Sequence, residues 1–339
     1  MKAIGYRSAG PISAVGSLED LELPAPPPGA RDLRVAVKAI SVNPADVKMR
    51  ASVPPPTGEV GVPGFDAAGI VEAIGAEVTL FRPGDEVFYA GAIDRPGTYS
   101  ELHLVDERLV GHKPKMLSFS QAAALPLTAI TAWEILFDRL AIPYGVKSQA
   151  GTLLIVNGAG GVGSILTQIA RRLTGLTVVT TASRPETVAW CYEMGAHHVI
   201  DHHRPFTEEF EKLGIAHVEY VASLTATGRH FADIEAVLAP QGRLALIDDP
   251  ETLDIVRLKR KSISVHWELM FTRSLFQTAD MIAQHRLLNE VADLLDVGVL
   301  RTTMTAEGGP ITAENLKRVH ALVESGHAIG KTVLTGFQI

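Results

Sequence analysis

Gly158, Gly160 and Gly163 stand in the spacing Gly-x-Gly-x-x-Gly within the segment GTLLIVNGAGGVGSILTQIARRLTGLTVVT, residues 151–180. Glycine at those places suits one chemistry. The turn is tight, a pyrophosphate must reach the backbone, and the following helix must pack close on the preceding strand. The free N–H groups at the start of that helix then hold the phosphates. The context fits. Leu153 to Val156 form a short apolar run of the kind a fully buried strand shows. Ile165, Leu166, Ile169 and Leu173 recur at helical spacing, Gly175 stops the helix, and Thr177 to Thr180 form a second β-branched run. The unit is strand, helix, strand, with its glycines in the first turn, and it predicts a dinucleotide site.

The end of the second strand selects the dinucleotide. A site for NAD(H) expects an acid about 20 residues on, to accept from the ribose 2′-OH. Thr180-Thr181-Ala182-Ser183-Arg184 contains no carboxylate. A hydroxyl and a guanidinium suit a 2′-phosphate, which arginine can bind through two hydrogen bonds. The stretch therefore favours NADP(H), with Ser183 and Arg184 at the phosphate. Ser183-Arg184-Pro185-Glu186 also reads as an N-cap, a first-turn proline and a capping-box glutamate. The two readings are compatible.

The 339 residues allow one or two large domains. Hydrophobic residues at 46% and charged ones at 20% are enough for a sizeable core. The net charge of −7 argues against a nucleic-acid or anionic-membrane partner. Residues 1–10 show no signal-peptide run, and the most apolar stretch, Ala122 to Phe137, is too short and too polar to span a bilayer. A single cysteine, Cys191, excludes an intramolecular disulfide and a cysteine-cluster metal site. The default compartment is the cytoplasm. No G-x-S-x-G or H-E-x-x-H motif points to a hydrolase.

These residues need elements to position them. Up to about residue 125 the chain reads as all-β. Met1 to Tyr6, Leu33 to Val42, Ala67 to Ile74, Glu86 to Tyr89 and Tyr99 to Val105 are strand-like, with proline-rich loops between. Asn43-Pro44 ends the second of these. Ser120 to Leu125 and Ala129 to Leu140 read as helices interrupted at Pro126. After the nucleotide unit, strand-like runs at Val199-Ile200, His217 to Ala222, Gly242 to Ile247 and Ser262 to Trp267 alternate with helical patterns at Ala182 to Met194 and His230 to Leu238. The fold class is therefore α/β, with a doubly wound parallel sheet preceded by an all-β lobe. Phe276 to Asp296 reads as one long helix, Asn315 to Ser325 as another, and Lys331 to Leu334 as a closing strand.

The order of these parts resembles the medium-chain dehydrogenase/reductase superfamily. Asn43-Pro44-Ala45-Asp46 is similar to the N-P-x-D motif of its quinone-oxidoreductase-like branch, and Pro63-Gly64-Phe65-Asp66-Ala67-Ala68-Gly69 to its P-G-x-D-x-x-G. Arg82 to Val87, Gly97 to Glu101, Ala122 to Ala129 and Gly195 to Ile200 extend the likeness over nearly the whole chain. It looks closest to the subgroup labelled zinc-binding alcohol dehydrogenase or quinone reductase-like. The resemblance implies a Rossmann domain, residues 128–272, and a GroES-like barrel domain made of residues 1–127 and 273–339.

The zinc of the label lacks its ligands. Zinc-dependent relatives carry Gly-His-Glu where this chain has Gly64-Phe65-Asp66, and a cysteine near the position of Asn43. Zinc needs three or four N, S or O ligands, and nothing in the sequence gathers Asp46, Asp66 and His103. Without a Lewis acid a plain alcohol is hard to oxidise. A quinone or an α,β-unsaturated carbonyl accepts hydride at an already electrophilic carbon, and a few donors can stabilise the oxygen. The resemblance thus implies an NADPH-dependent quinone or enone reductase. It places Asn43 and Thr128 at the nicotinamide end, Gly160, Gly161 and Val162 at the pyrophosphate, and His202 with Ser183 and Arg184 at the adenosine phosphate. Ile247 falls at the nicotinamide ribose. Asn43 also reads as a strand terminator, and Thr128 as a helix N-cap. Lys48, with Asp46 and Tyr89, is a candidate to polarise oxygen or relay a proton, and water is another source. Trp267, Phe271 and Phe276 read as packing or interface residues. An open edge strand such as Ser262 to Trp267 is an aggregation hazard, and the resemblance implies that it pairs across a two-fold axis in a homodimer. Two other functions stay open: a zinc-dependent alcohol dehydrogenase, and an NADPH-binding protein without turnover.

Overall fold

The structure is a computed structural model and describes residues 1–148 and 151–337. It divides into two compact units, Met1–Ile130 with Phe271–Ile339, and Thr131–Met270.

The first unit opens with β1 (Lys2–Gly5), β2 (Glu19–Glu22) and β3 (Asp32–Ser41), followed by α1 (Pro44–Ser52). β4 (Asp66–Ile74), β5 (Glu86–Ala90), β6 (Leu102–Asp106) and β7 (Val110–His112) lead to α2 (Phe119–Ala123) and α3 (Pro126–Trp133). The second unit runs through β8 (Thr152–Val156), α4 (Gly161–Leu173), β9 (Thr177–Thr181), α5 (Pro185–Glu193), β10 (His198–Ile200) and α6 (Phe206–Lys212). It continues with β11 (Val218–Ser223), α7 (Thr227–Val237), β12 (Leu238–Leu246) and β13 (Ser264–Trp267). The chain then returns to the first unit with α8 (Thr272–Leu275), α9 (Ala283–Asp296), β14 (Met304–Ile311), α10 (Ala313–Glu324) and β15 (Lys331–Phe337).

In the first unit, β3 is the hub. It pairs antiparallel with β4, β6 and β15, in a sheet ordered β14-β15-β3-β4-β5-β7. The alternation read in the sequence is the alternation of burial: Leu33, Val35, Val37 and Ala39 all face inward. Leu33, Val35 and Val37 pack with Ile40, Val71, Tyr89, Tyr99, Leu316 and Leu334 in one apolar core.

The second unit is a six-stranded sheet in the order β10-β9-β8-β11-β12-β13, every pair parallel. This is the doubly wound arrangement, with the reversal of strand order beside β8. All five residues of β8 are buried, as an apolar run in a sheet covered on both faces requires.

Several expectations from sequence are corrected. The first 125 residues are not all-β: α1 follows β3 directly. Pro44 opens that helix, and the Asp46 carboxylate accepts from the Asn43 N–H at 2.6 Å. Pro126 opens α3 rather than interrupting a helix, because its missing N–H costs nothing at a first-turn position. Phe276 to Asp296 is not one helix. Gln277 takes a left-handed φ of 47°, and the continuous helix starts only at Ala283. β13 begins at Ser264, since Ser262 is also left-handed at φ 52°. α6 and β14 were not legible in the pattern.

Candidate functional site

Each unit carries candidate site residues of its own. In the second unit, β8 ends at Val156 and the chain turns sharply at Asn157, with φ 71°. Two bonds tie this turn to the end of β9: Asn157 N–H donates to Thr181 Oγ1 at 2.9 Å, and Gly158 N–H to the Thr181 carbonyl at 3.1 Å. A Cβ on Gly158 would meet Thr180 Cβ at 2.5 Å and Cys191 Sγ at 3.0 Å. A Cβ on Gly163 would run into the Asn157 carbonyl oxygen and the Gly158 backbone. A Cβ on Gly160 would meet only the Asn157 side chain, at 3.1 Å. Two of the glycines are thus held by packing against backbone or core side chains, whereas at Gly160 an added Cβ would press on the Asn157 side chain. No side chain caps α4, and its first turn holds no acid. The leading N–H groups at Gly161, Val162 and Gly163 have no intrahelical partner. This cradle fits a diphosphate.

The end of β9 corrects one sequence reading. The N-cap of α5 is Arg184, not Ser183, and the capping partner is Thr187, not Glu186. Arg184 N–H donates to Thr187 Oγ1 at 3.2 Å, and that hydroxyl donates to the Arg184 carbonyl at 2.8 Å. The threonine closes the turn by itself, which leaves the half-buried Ser183 hydroxyl out of the cap. The Arg184 guanidinium lies 3.4 Å from Glu186, a surface pair that holds it weakly. β10 runs alongside, with Ile200 opposite Thr181 and Ala182 N–H on the Ile200 carbonyl at 3.0 Å. His202 therefore emerges next to Ser183. Burial, and then the neighbouring His203 and His230, push its imidazole below the usual range. Ile247 follows β12 at the same end of the sheet, half-buried, its N–H on the Ser223 carbonyl at 3.3 Å. Cys191 is fully buried, and burial raises its thiol.

In the first unit, Asn43 sits where β3 hands over to α1, 1% exposed. Its side chain does not cap the helix. Asn43 Nδ2 donates to Asp66 Oδ2 at 2.8 Å, and its Oδ1 accepts from Lys331 Nζ. Asp66, the first residue of β4, also accepts from Ser41 Oγ at 2.7 Å and Lys331 Nζ at 3.1 Å on Oδ2, and from Leu127 N–H at 2.7 Å on Oδ1. One buried carboxylate thus joins β3, β4, β15, the start of α1 and the start of α3. Thr128 follows Leu127 and is 2% exposed. It is not an N-cap but the third residue of α3, and its hydroxyl donates back to the Leu125 carbonyl at 2.9 Å. Asn43 and the Thr128 turn are therefore brought together through Asp66. Lys48 is not part of that centre; it lies on the exposed side of α1.

Asp46 and Tyr89 are both buried behind this centre. Burial pushes the Asp46 carboxyl up to about 7, against the pull of the Asn43 N–H and Lys331. Tyr99 Oη lies 3.3 Å from Asp46 Oδ2 and 3.1 Å from His320 Nε2. Tyr89 pairs instead with His103 Nδ1 at 3.1 Å, and the other nitrogen of that ring bonds the Pro96 carbonyl. Asp46, Asp66 and His103 form no ligand set: among the described residues no three His, Cys, Asp or Glu side chains gather as they would around a metal ion. Phe65 packs on Phe271 with ring centroids 4.6 Å apart. These residues do not fit a zinc ion.

Sequence reasoning missed Lys331 and the hub role of Asp66. A signal for the lysine was present: Lys331 heads the apolar strand Thr332-Val333-Leu334, where a charge needs a buried partner.

A parallel sheet wound from a phosphate cradle, joined in one chain to a β-rich unit, defines a dinucleotide-dependent oxidoreductase. Comparison with known proteins agrees. Residues 29–115 match the alcohol dehydrogenase GroES-like domain, and residues 194–334 match the zinc-binding dehydrogenase family. A zinc-type alcohol dehydrogenase-like protein of Staphylococcus aureus is 40% identical over 336 residues, 98% of this chain and 99% of its own length. A quinone oxidoreductase of Pseudomonas aeruginosa is 38% identical over 176 residues, 52% of this chain and 51% of its own. Among solved structures, a candidate zinc-dependent alcohol dehydrogenase from Rhizobium etli superposes with a TM-score of 0.96 at 58% identity, covering 100% of this chain and 99% of its own. A mycobacterial protein solved with NADPH superposes at 0.83 with 28% identity, covering 99% of each chain. The chain belongs to the medium-chain dehydrogenase/reductase superfamily, in its quinone-oxidoreductase-like branch. No helix among the described residues is long and apolar enough to cross a membrane.

Proposed function

We propose that the protein is an NADPH-dependent reductase of quinones or α,β-unsaturated carbonyls that works without zinc. One observation carries the substrate class. At the two positions where zinc-dependent relatives supply donors, this chain has Asn43, whose amide is taken up by Asp66 and Lys331, and Phe65, packed at a tilt against Phe271. A bound nicotinamide supplies the hydride; the protein supplies orientation and hydrogen bonds. With no metal to lower an alkoxide pKa, the acceptor must already be electrophilic.

The roles follow the geometry of each unit. The turn from Gly158 to Gly163 holds the pyrophosphate through main-chain amides, and Ser183, Arg184 and His202 hold the 2′-phosphate. Asn43 and Thr128 flank the nicotinamide, and Ile247 packs at its ribose. The second Nδ2 hydrogen of Asn43 serves as a donor to developing oxyanion charge. Lys48, on the exposed side of α1, is a further proposed catalytic group. Functionally, residues 1–127 with 273–339 act as the substrate-side domain and 128–272 as the cofactor domain. Among the described residues β13 pairs with β12 alone and carries Trp267 at 56% exposure, so a second copy of the chain is the proposed cover for this edge.

The test is steady-state NADPH oxidation against a panel of quinones, enals and enones, with NADH in parallel. Turnover on that panel, faster with NADPH, supports the reading. Oxidation of simple alcohols with stoichiometric bound zinc would overturn it.

A further inference from the structure

His230 is a buried imidazole outside the residues assigned so far. It lies in the first turns of α7, 7% exposed. Its ring stacks on Phe206, centroids 5.5 Å apart and 20° from parallel, and meets the His202 ring at 6.0 Å, nearly edge-on. His202 in turn contacts His203 at 4.5 Å.

We propose that His230 is a positioning residue of the 2′-phosphate subsite, acting through His202, and that binding of the phosphorylated coenzyme draws a proton from solvent onto this imidazole pair. The proposal rests on the reading of NADP(H) as cofactor and extends it to regulation by pH. Three facts converge. β10 runs in register with β9, so His202 and Ser183 leave the sheet side by side. The Phe206 stack fixes the plane of the His230 ring, which in turn limits the His202 ring. Both imidazoles lie below their usual range in the free protein: His202 first through burial, then through His203, His230 and Arg229; His230 first through burial, then through Arg229 and His203, against the pull of Asp233. They are therefore neutral near pH 7, and a phosphate dianion beside them favours the charged form.

The other charges around the pair are accounted for. Asp201 accepts from His203 N–H and lies 4.0 Å from Arg204. Asp233 accepts from Phe206 N–H, and Glu209 from Asp201 N–H while paired with Lys212. Arg184 is beside Glu186. Arg229 lies close enough to lower both imidazoles. The acids already have partners, so the imidazoles are the groups whose protonation the phosphate can change.

The test uses the full chain, with AMP and its 2′-phosphorylated form as probes. Titration calorimetry in two buffers of different ionisation enthalpy counts the protons exchanged. The wild type is expected to take up protons with the 2′-phosphorylated probe and not with AMP. Its affinity for that probe should fall roughly tenfold from about pH 6.5 to about pH 8.5, a window in which the phosphate is mostly dianionic. His230→Phe preserves an aromatic stack on Phe206, and should bind AMP normally while losing most of the uptake and the pH slope. His202→Gln, at a half-exposed turn, gives the same readout should H230F fail to fold. The ligand's own titration is common to all proteins and cancels in the comparison. If the wild type binds AMP but gains nothing from the 2′-phosphate, the NADP(H) reading falls. If it gains affinity but the uptake is absent, or persists in the variants, this inference alone falls.

Discussion

Lys331 Nζ lies 3.1 Å from Asp66 Oδ2, and the two side chains are 3% and 0% exposed. The ammonium also donates to the Val42 carbonyl at 3.0 Å and to Asn43 Oδ1. A buried pair of this kind is tolerable only when its remaining hydrogen-bonding positions are filled, and here they are. Its main consequence is geometric. Asn43 is held at both ends of its amide, which leaves one N–H to offer.

Removing one partner leaves an uncompensated buried charge. Lys331→Met should cost about 3–5 kcal/mol in urea unfolding. The double variant Lys331→Met/Asp66→Asn should recover part of that loss. A double variant no more stable than the single would show that the pair is not the stabilising unit.

The glycine turn separates fold from binding. Gly163→Ala drives a Cβ into the Asn157 carbonyl, so it should lower both stability and coenzyme affinity. Gly160→Ala meets only a movable Asn157 side chain. It should leave the melting temperature of the free protein nearly unchanged, while weakening NADPH binding at least about tenfold through lost backbone approach. Fluorescence titration with NADPH alongside thermal unfolding checks both.

Coenzyme choice should respond to the end of β9. Ser183→Asp supplies the acid a ribose 2′-OH prefers and repels a 2′-phosphate. The ratio of kcat/KM for NADPH over NADH should drop at least about tenfold, with Arg184→Ala moving the ratio the same way by less. An unchanged ratio would remove Ser183 from the phosphate subsite.

Metal should not matter. Dialysis against a chelator is expected to leave quinone or enone reduction unaltered, and metal analysis to find far less than one zinc per chain, because no three described donors converge.

Stability should carry the signature of Asp46. Its carboxyl moves from the usual 3.8 to about 7 on folding. The folded chain therefore binds the extra proton between those values, and stability falls as pH rises through that window. The contribution is complete below the unfolded value and gone above the folded one. Asp46→Asn keeps an acceptor for Asn43 N–H and removes the titration. The urea midpoint of the variant should depend less on pH between about 4 and about 7 than that of the wild type.

The sequence by itself determined the parts that follow from local pattern. The Gly158 to Gly163 turn, the buried run of β8, the alternation of β3 and the missing acid after β9 are all set by residues a few positions apart, and each lies where the pattern put it. Tertiary structure alone decided the rest. Asp66 reads as one more polar residue in a motif until β15 brings Lys331 against it from 265 positions away. Ser183 reads as a helix cap until Thr187 is seen to take that task. Thr128 reads as a cap until the Asp66 carboxylate binds the N–H of the residue before it. In each case the competing partners are of similar chemical quality. Which one wins depends on burial and on the register of strands distant in the chain, and no local window of residues contains either.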